Sequence, residues 1–483
     1  MQFLLPAIYL LLFTLMVMKL NFFSLDGKGK RIILALLAIK VIAAAFVYLL
    51  YTYYYPLSDF HTYFSDSKIL ISNWSADVPA PLESWNSRWD PLFFNGSRIM
   101  ILLNAFLHLF SFGNIYVHVL FFCFLSFAGS IALCKAFLEF FPLFRNRILL
   151  AVFLVPTLLF WGSSPLKEGL ITGLIGFFVF FSRFGLARNP GTTKIVFMVI
   201  LFFLIASVKL YVALALLPVL IVNFWVGRSS NELLYAKYLI VFLSFSGIAI
   251  LLSLISPDYN VLRIISERRS KAVSEAKGGA FYMSRNNFIR VDYFQKDSIM
   301  LQQSDRSYKL RPGSSYVSWP LDNMSDTTYV SHASDTNSFQ FVYDQQPANS
   351  VRHMKKLEPE PLAFIAAAPL ALLNVLARPS VFESTSWLHF FAGLENLYLM
   401  LLIIIMLFFY KRPEKEQAPV LMFCIVFSIV LFLLIGFTVP AMGAMLRYRV
   451  PALLFLVPAL LCLTDKKRLL DFISRKKDQP GRL

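Results

Sequence analysis

The sequence predicts an all-α, polytopic membrane protein, and three observations point that way. Of its 483 residues 58% are hydrophobic, and Phe alone fills 50 positions. Charged residues make up only 15%, against about 25% in a typical soluble domain. Apolar runs recur along the chain at the length needed to cross a bilayer, about 20 residues. With a mean hydropathy of +0.64, a soluble fold could not bury so much apolar surface in one or two cores. A net charge of +17 invites a nucleic-acid partner, but the apolar composition excludes that reading. Anionic lipid head groups are the partner such charge fits.

The runs fall near 3–23, 32–54, 114–141, 148–163, 166–185, 195–208, 210–226, 237–256, 388–410, 418–437 and 447–464, which predicts about eleven spans within a range of ten to thirteen. Stretches 92–112 and 361–377 are shorter and interrupted, so they are expected to lie along the interface. The expected organisation is an N-terminal membrane module (1–256) with a polar acidic loop at 55–98, then a polar segment at 257–360. Further membrane helices follow over 361–464, and a basic tail over 465–483.

Lys and Arg in short loops set orientation. Lys28, Lys30, Arg31, Arg145, Arg147, Arg183, Arg188, Lys194, Arg228, Lys237, Lys411, Arg412, Lys415 and the tail share one side if the N-terminus is outside and the C-terminus inside. No basic region precedes the first run, which reads as a reversed anchor more than a cleaved signal. Segment 257–360 holds 14 Lys and Arg against 12 Asp and Glu, so the excess charge is an orientation signal. This segment is expected to be extracytoplasmic, serving as a lid or acceptor-binding subdomain or as a structural loop.

The four cysteines, Cys123, Cys134, Cys424 and Cys462, all lie in apolar runs, which argues against an external disulfide framework. No CxxC, HExxH, Walker A or GxGxxG motif is present. No metal site follows from spacing, and a need for a divalent cation stays open. Asn73, Asn95 and Asn323 begin N-x-S sequons.

Charges beside or inside membrane runs are functional candidates. Asp59, His61, Tyr63 and Asp66 cluster directly after the second run. Asp59 there is either a general base activating a hydroxyl or an acidic cap. Trp161 to Gly169 joins two runs through Ser163, Ser164 and Pro165 to Lys167 and Glu168. It is either an anion-holding helix start or a tight capped turn. Lys209 splits a long apolar stretch, as a hairpin tip or a snorkelling side chain. Arg378 and Glu383, with Glu395 and Asn396 further on, form a fourth group; Arg447, Tyr448 and Arg449 form a fifth. Both arginines break the positive-inside trend, and Arg suits bidentate phosphate binding.

This layout resembles the GT-C type integral membrane glycosyltransferases, which use polyprenyl-phosphate sugars as donors. Asp59 with Tyr63 is similar to their acidic motif in an external loop. Stretch 92–112, then Gly113-Asn114 and the next long run, is similar to their interfacial segment. Pro156, Ser163, Ser164 and Glu168 match the later acid that opens a helix, and Lys209 the basic hairpin tip. The likeness covers roughly 32–226; the acidic loop follows the second run here, where many members place it after the first. The chain also looks like a group of bacterial envelope membrane proteins sharing its Trp161–Glu168 turn, its Arg378…Glu395-Asn396 stretch and its Arg447-Tyr448…Pro451 motif.

The resemblance implies sugar transfer from a polyprenyl-phosphate-linked donor to an envelope glycan or lipid, at the outer face of a bacterial cytoplasmic membrane. It implies catalysis by Asp59, with Asp66 or Glu168 assisting. Donor phosphate would be bound by Lys167, Lys209, Arg378, Arg447 and Arg449, and substrate positioned by His61, Tyr63, Glu383 and Tyr448. A polysaccharide polymerase or O-antigen-type ligase using a lipid pyrophosphate donor is the enzyme alternative. A lipid or oligosaccharide transporter or flippase is the non-enzyme alternative, against which stands the absence of charges deep in the runs and of detectable internal repeats.

Overall fold

The computed structural model describes residues 3–477 except 26–28, 55–58, 75–95, 230, 285–286, 305–306, 315, 321–327, 331–337, 349, 353 and 385. Lys28, Ser58, Arg482 and the sequon residues Asn95 and Asn323 therefore lie outside the described residues. The chain is mostly helical and divides into two compact units. Unit 1 comprises 1–251, 371–435 and 446–483; unit 2 comprises 252–370 and 436–445.

Each of the eleven apolar runs forms helix. In chain order the helices are α1 (Leu4–Lys19), α2 (Lys30–Tyr53), α3 (Asp59–Trp74), α4 (Gly96–Ser111), α5 (Ile115–Phe140), α6 (Arg145–Phe153), α7 (Pro156–Gly162), α8 (Lys167–Ser182), α9 (Thr192–Val208), α10 (Leu210–Arg228) and α11 (Leu234–Ile255). Then come α12 (Val261–Ala276), α13 (Lys296–Ile299), α14 (Pro361–Ala377), α15 (Trp387–Phe408), α16 (Ala418–Thr438), α17 (Met442–Tyr448), α18 (Val450–Leu463) and α19 (Lys466–Lys477).

The number of spans is nevertheless smaller than the eleven expected. Among the described residues seven helices are long and apolar enough to cross a membrane, or up to nine if each of two bent pairs is one span. The bent pairs are Pro142–Phe153 with Pro156–Gly162, at 56°, and Met442–Tyr448 with Val450–Leu463, at 63°. Pro156 and Pro451 sit in the first turn after each break, where a missing N–H is tolerated and an uninterrupted helix is not. Helices α1 and α9 have only 16 and 17 residues; at 1.5 Å per residue they reach about 25 Å, short of a ~30 Å hydrocarbon core.

Unit 1 is built on a glycine contact. A Cβ on Gly176 of α8 would lie 1.9 Å from the Gly129 carbonyl of α5, and one on Gly129 2.4 Å from the Gly173 carbonyl. Hydrogen at these positions lets the two backbones touch, as small residues do between membrane helices. A phenylalanine cluster extends the core: Phe137 and Phe184 lie 5.0 Å apart, Phe184 and Phe423 5.6 Å, and Phe427 and Phe455 5.0 Å. It joins α5, the turn after α8, α16 and α18.

Unit 2 corrects the all-α expectation. Its polar segment holds a seven-stranded antiparallel sheet: β1 (Gly279–Met283), β2 (Asn287–Val291), β3 (Met300–Ser304), β4 (Ser307–Leu310), β5 (Tyr316–Pro320), β6 (Thr328–Val330) and β7 (Ser338–Gln345). The spatial order is β3-β4-β7-β1-β2-β5-β6. Ala280 and Tyr282, Ile289 and Val291, with Leu310 and Phe339, form its core, on the period of two that a pleated strand imposes. The strands are short and rich in polar residues, so composition read them as loop.

The glycine contact yields a prediction. Gly176→Val should cost at least ~1–3 kcal/mol of stability through overpacking, seen as a lowered unfolding midpoint of the purified protein in detergent. Gly247→Val, where a Cβ would meet nothing within 4 Å, should leave that midpoint nearly unchanged.

Candidate functional site

Five segments of unit 1 deliver charged or aromatic side chains to one place. Leu166 is extended (ψ 173°) and α8 starts just after it, so Glu168 falls in the first helical turn. Lys209 sits at the break between α9 and α10, closing one helix and opening the next at φ −148°, ψ 85°. Arg447 lies near the end of α17, just before the 63° bend. Asp59 opens α3, and Tyr63 and Asp66 follow at i+4 and i+7, on the same helix face. Gly96 starts α4 against the Val208 carbonyl, which a Cβ would approach to 2.2 Å; this brings Ser97 beside the Lys209 break.

The ion pairs form a chain. Lys209 Nζ donates to Glu168 Oε1 at 2.5 Å. Arg447 Nε faces Glu168 Oε2 at 2.8 Å, and Arg447 Nη2 donates to Asp59 Oδ2 at 3.0 Å. Exposure rises from Glu168 outward: the side chains of Lys209, Glu168, Arg447 and Asp59, in the order of the ion pairs, are 5%, 0%, 16% and 53% exposed. Glu168 is therefore a buried anchor, and Asp59 is the carboxylate open to an incoming molecule. Isolated, a charge as deep as Glu168 would be very costly; two cations balance it.

Aromatic rings enclose the cations. Lys209 Nζ lies 4.8 Å from the Tyr448 ring centroid and 5.8 Å from that of Tyr211. Lys167 Nζ donates to Ser97 Oγ at 2.9 Å and lies 5.7 Å from the Tyr63 ring. Burial, and secondarily the Asp59 charge, holds the Tyr63 phenol well above its ordinary pKa, so it stays a neutral hydroxyl donor. The Tyr211 hydroxyl is buried and has no hydrogen-bond partner among the described residues, as have Ser163 Oγ and Ser207 Oγ. Of these three only Tyr211 is shown against the cluster, through Lys209.

Asp59, Tyr63, Lys167, Glu168, Lys209, Arg447 and Tyr448 are all brought together. Asp66 shares their helix face on α3 and is half-buried. His61 turns toward α2, its Nε2 3.5 Å from Thr52 Oγ1. Arg378 and Glu383, expected to bind donor phosphate and position substrate, pair with each other at 3.3 Å. Neither has a contact with the Glu168 group among the described residues.

Arg449 is the main correction. It was expected beside Arg447, yet it is fully buried in a separate knot. Its Nη1 donates to Asn396 Oδ1 at 2.6 Å and to the Val375 carbonyl at 3.1 Å. Its Nη2 donates to Glu395 Oε1 at 3.2 Å and Thr157 Oγ1 at 3.3 Å. Glu395 Oε2 in turn accepts from the Thr157 N–H at 2.8 Å, at the start of α7. Arg449 is a tie between α7, α14, α15 and the α17–α18 bend, with its side chain 0% exposed. Arg447 lies on α17, whereas Arg449 lies in the break before α18, where the chain bends by 63°; that bend separates the two.

Sequence reading also passed over Tyr211, Ser97 and Lys40. Lys40 contradicts the expectation that no charge lies deep in the runs: it is buried in α2, and its Nζ donates to Ser126 Oγ of α5 at 2.9 Å. Ser126 Oγ donates on to the Gly162 carbonyl, at the turn leading to Glu168. Among the described residues Lys40 has no acidic partner. Ten residues into a 24-residue helix, it had a plain signal, an ionisable group inside an apolar run.

Among the described residues no three His, Cys, Asp or Glu side chains converge as a metal centre would require. Asp59 and Glu168 both engage Arg447, so a divalent cation there would have to displace the guanidinium.

Comparison with known protein families, curated proteins and solved structures finds no match to this chain.

The two ionic groups predict different mutant behaviour. Arg449→Met leaves Glu395 buried without its cation and should cost ~3–5 kcal/mol, seen as loss of folded, monodisperse protein. Lys209→Met should destabilise strongly, and adding Glu168→Gln to it should recover much of that loss in a double-mutant cycle. Lys40→Met, which removes a buried amine without a carboxylate partner, should hold or raise the unfolding midpoint.

Proposed function

We propose that this chain is a membrane glycosyltransferase. It moves a sugar from a polyprenyl-phosphate-linked donor to an envelope glycan or lipid acceptor. Its site faces the outside of a bacterial cytoplasmic membrane, and its C-terminus faces inward. The carrying observation is the ion chain Lys209–Glu168–Arg447–Asp59, which runs from the buried Lys209–Glu168 pair through Arg447 to half-exposed Asp59.

In this reading Asp59 takes the proton of an acceptor hydroxyl as that oxygen attacks the anomeric carbon. The bond from that carbon to the donor phosphate oxygen breaks, and the lipid phosphate leaves with one more negative charge than it carried in the diester. Arg447, Lys209 and Lys167 stabilise that charge, held in place beforehand in a poorly solvated setting. Glu168 holds Lys209 and Arg447 so that they need not reorganise during the reaction. Tyr63, Tyr448 and Tyr211 supply hydroxyls and ring faces for sugar and phosphate.

Charge counting favours a monophosphate over a pyrophosphate donor. Lys167, Lys209 and Arg447 against Asp59 and Glu168 leave one net positive charge, which a phosphodiester balances. A pyrophosphate would need the second arginine group, and there Arg449 is taken up by Glu395 and Arg378 by Glu383. Lys40 supports a second reading, a lipid-linked glycan transporter, because a buried amine within a span is a feature of translocation pathways.

Thermal-shift measurements on purified protein should separate these. A polyprenyl monophosphate is expected to stabilise the protein more than the neutral polyprenol, and Arg447→Gln should abolish the difference. Greater stabilisation by the pyrophosphate would favour the polymerase or ligase reading. Asp59→Asn should bind the monophosphate normally yet fail to restore surface glycan in a deletion strain. A fully active Asp59→Asn would refute the transferase mechanism.

A further inference from the structure

A groove of about 400 Å³ lies on unit 1, away from the ion cluster, lined by Phe178 of α8, Met198 of α9, and Leu220, Ile221, Phe224, Trp225 and Arg228 of α10. Helix α10 has Lys209 just before its first residue and Arg228 as its last, so the two cations are separated by about 28 Å along the axis. That is close to the ~30 Å hydrocarbon thickness. The groove therefore ends where the span α10 leaves the membrane, at the opposite end from Glu168.

Its wall changes character along its length. Phe178, Met198, Leu220 and Ile221 are apolar throughout; Trp225 follows, of a type enriched at the bilayer interface; Arg228 closes the end. Around that end the cations cluster. The Arg228 guanidinium stacks at 3.8 Å on the Phe224 ring and reaches the Arg188 carbonyl at 3.4 Å. Arg188 Nε donates to the Gly227 carbonyl at 3.0 Å. Lys237 Nζ lies 5.8 Å from the Trp225 ring and donates to Ser229 Oγ at 2.7 Å. Neither Arg188 nor Arg228 has a carboxylate partner among the described residues.

We infer that this groove is a binding site for an anionic glycerophospholipid. One acyl chain lies along Phe178, Met198 and Ile221, and the phosphate sits against Arg228 with Arg188 and Lys237 beside it. Three features select this occupant over a neutral lipid: an apolar channel, a tryptophan at interface level, and two arginines there, Arg188 and Arg228, without carboxylate partners among the described residues. The inference does not depend on the proposed enzyme activity, because the groove shares no residue with the Asp59–Glu168 group.

Trp225 is a built-in probe. The full-length protein is reconstituted in phosphatidylcholine vesicles with increasing fractions of brominated phosphatidylglycerol or brominated phosphatidylcholine. Subtracting a Trp225→Phe sample isolates the Trp225 emission. Brominated phosphatidylglycerol is expected to reach half-quenching at a mole fraction lower by about fivefold or more, given the attraction of each basic residue near the surface to anionic lipid. Arg188→Gln with Arg228→Gln should bring the two lipids together, and Arg228→Lys should keep most of the preference. On the wild-type protein, which needs no variant to fold, 1 M salt should shrink the preference by screening. Equal quenching by the two lipids in the wild-type protein would overturn the inference, as would a preference unchanged by salt.

Discussion

A carboxylate buried in an apolar bundle must be balanced on the spot, and the arrangement around Glu168 follows from that requirement. The Glu168 side chain is fully buried, so Lys209 and Arg447 do what solvent does for an exposed carboxylate. Each comes from a backbone irregularity: Lys209 from a break between two helices, Arg447 from the end of a short helix before a sharp bend. The Lys209 break leaves α9 too short for a span and the bend after Arg447 divides α17 from α18, two of the departures from eleven straight spans. The Gly129–Gly173–Gly176 contact works toward the same end, because it fixes α8, and with it Glu168, against α5.

The second buried arginine shows the same physics put to a different use. Both Arg449 Nη atoms donate, to Glu395, Asn396, Thr157 and a backbone carbonyl, and these bonds hold four elements together. Arg447 keeps partial exposure and an exposed partner in Asp59. Two arginines separated by one residue therefore divide into a structural tie and a candidate ligand-facing cation.

Much of this was legible in the sequence. Asp59, Glu168, Lys209 and Arg447 stood out because a charge in or beside an apolar run has few innocent explanations, and all four meet in space. Arg449 stood out for the same reason, but composition carries no information on which side of a helix a side chain faces. Lys40 was absorbed into a run whose average hydropathy masks a single amine. The sheet of unit 2 was illegible for another reason: its strands are three to eight residues long and mix serine, glutamine and charged residues, so polarity suggested loop. Helices were found because apolar runs of span length have almost one outcome in a membrane; the breaks inside them depend on tertiary pairing that local sequence does not encode.

An experimental structure with bound polyprenyl monophosphate tests most directly the proposal that the Lys209–Glu168–Arg447–Asp59 chain receives a lipid phosphate. The account predicts phosphate oxygens within hydrogen-bonding distance of Arg447 and of Lys167 or Lys209, with Asp59 on the side open to the acceptor and the Glu168 pairs intact. Phosphate bound elsewhere, with Arg447 still engaged only by its two carboxylates, would contradict it.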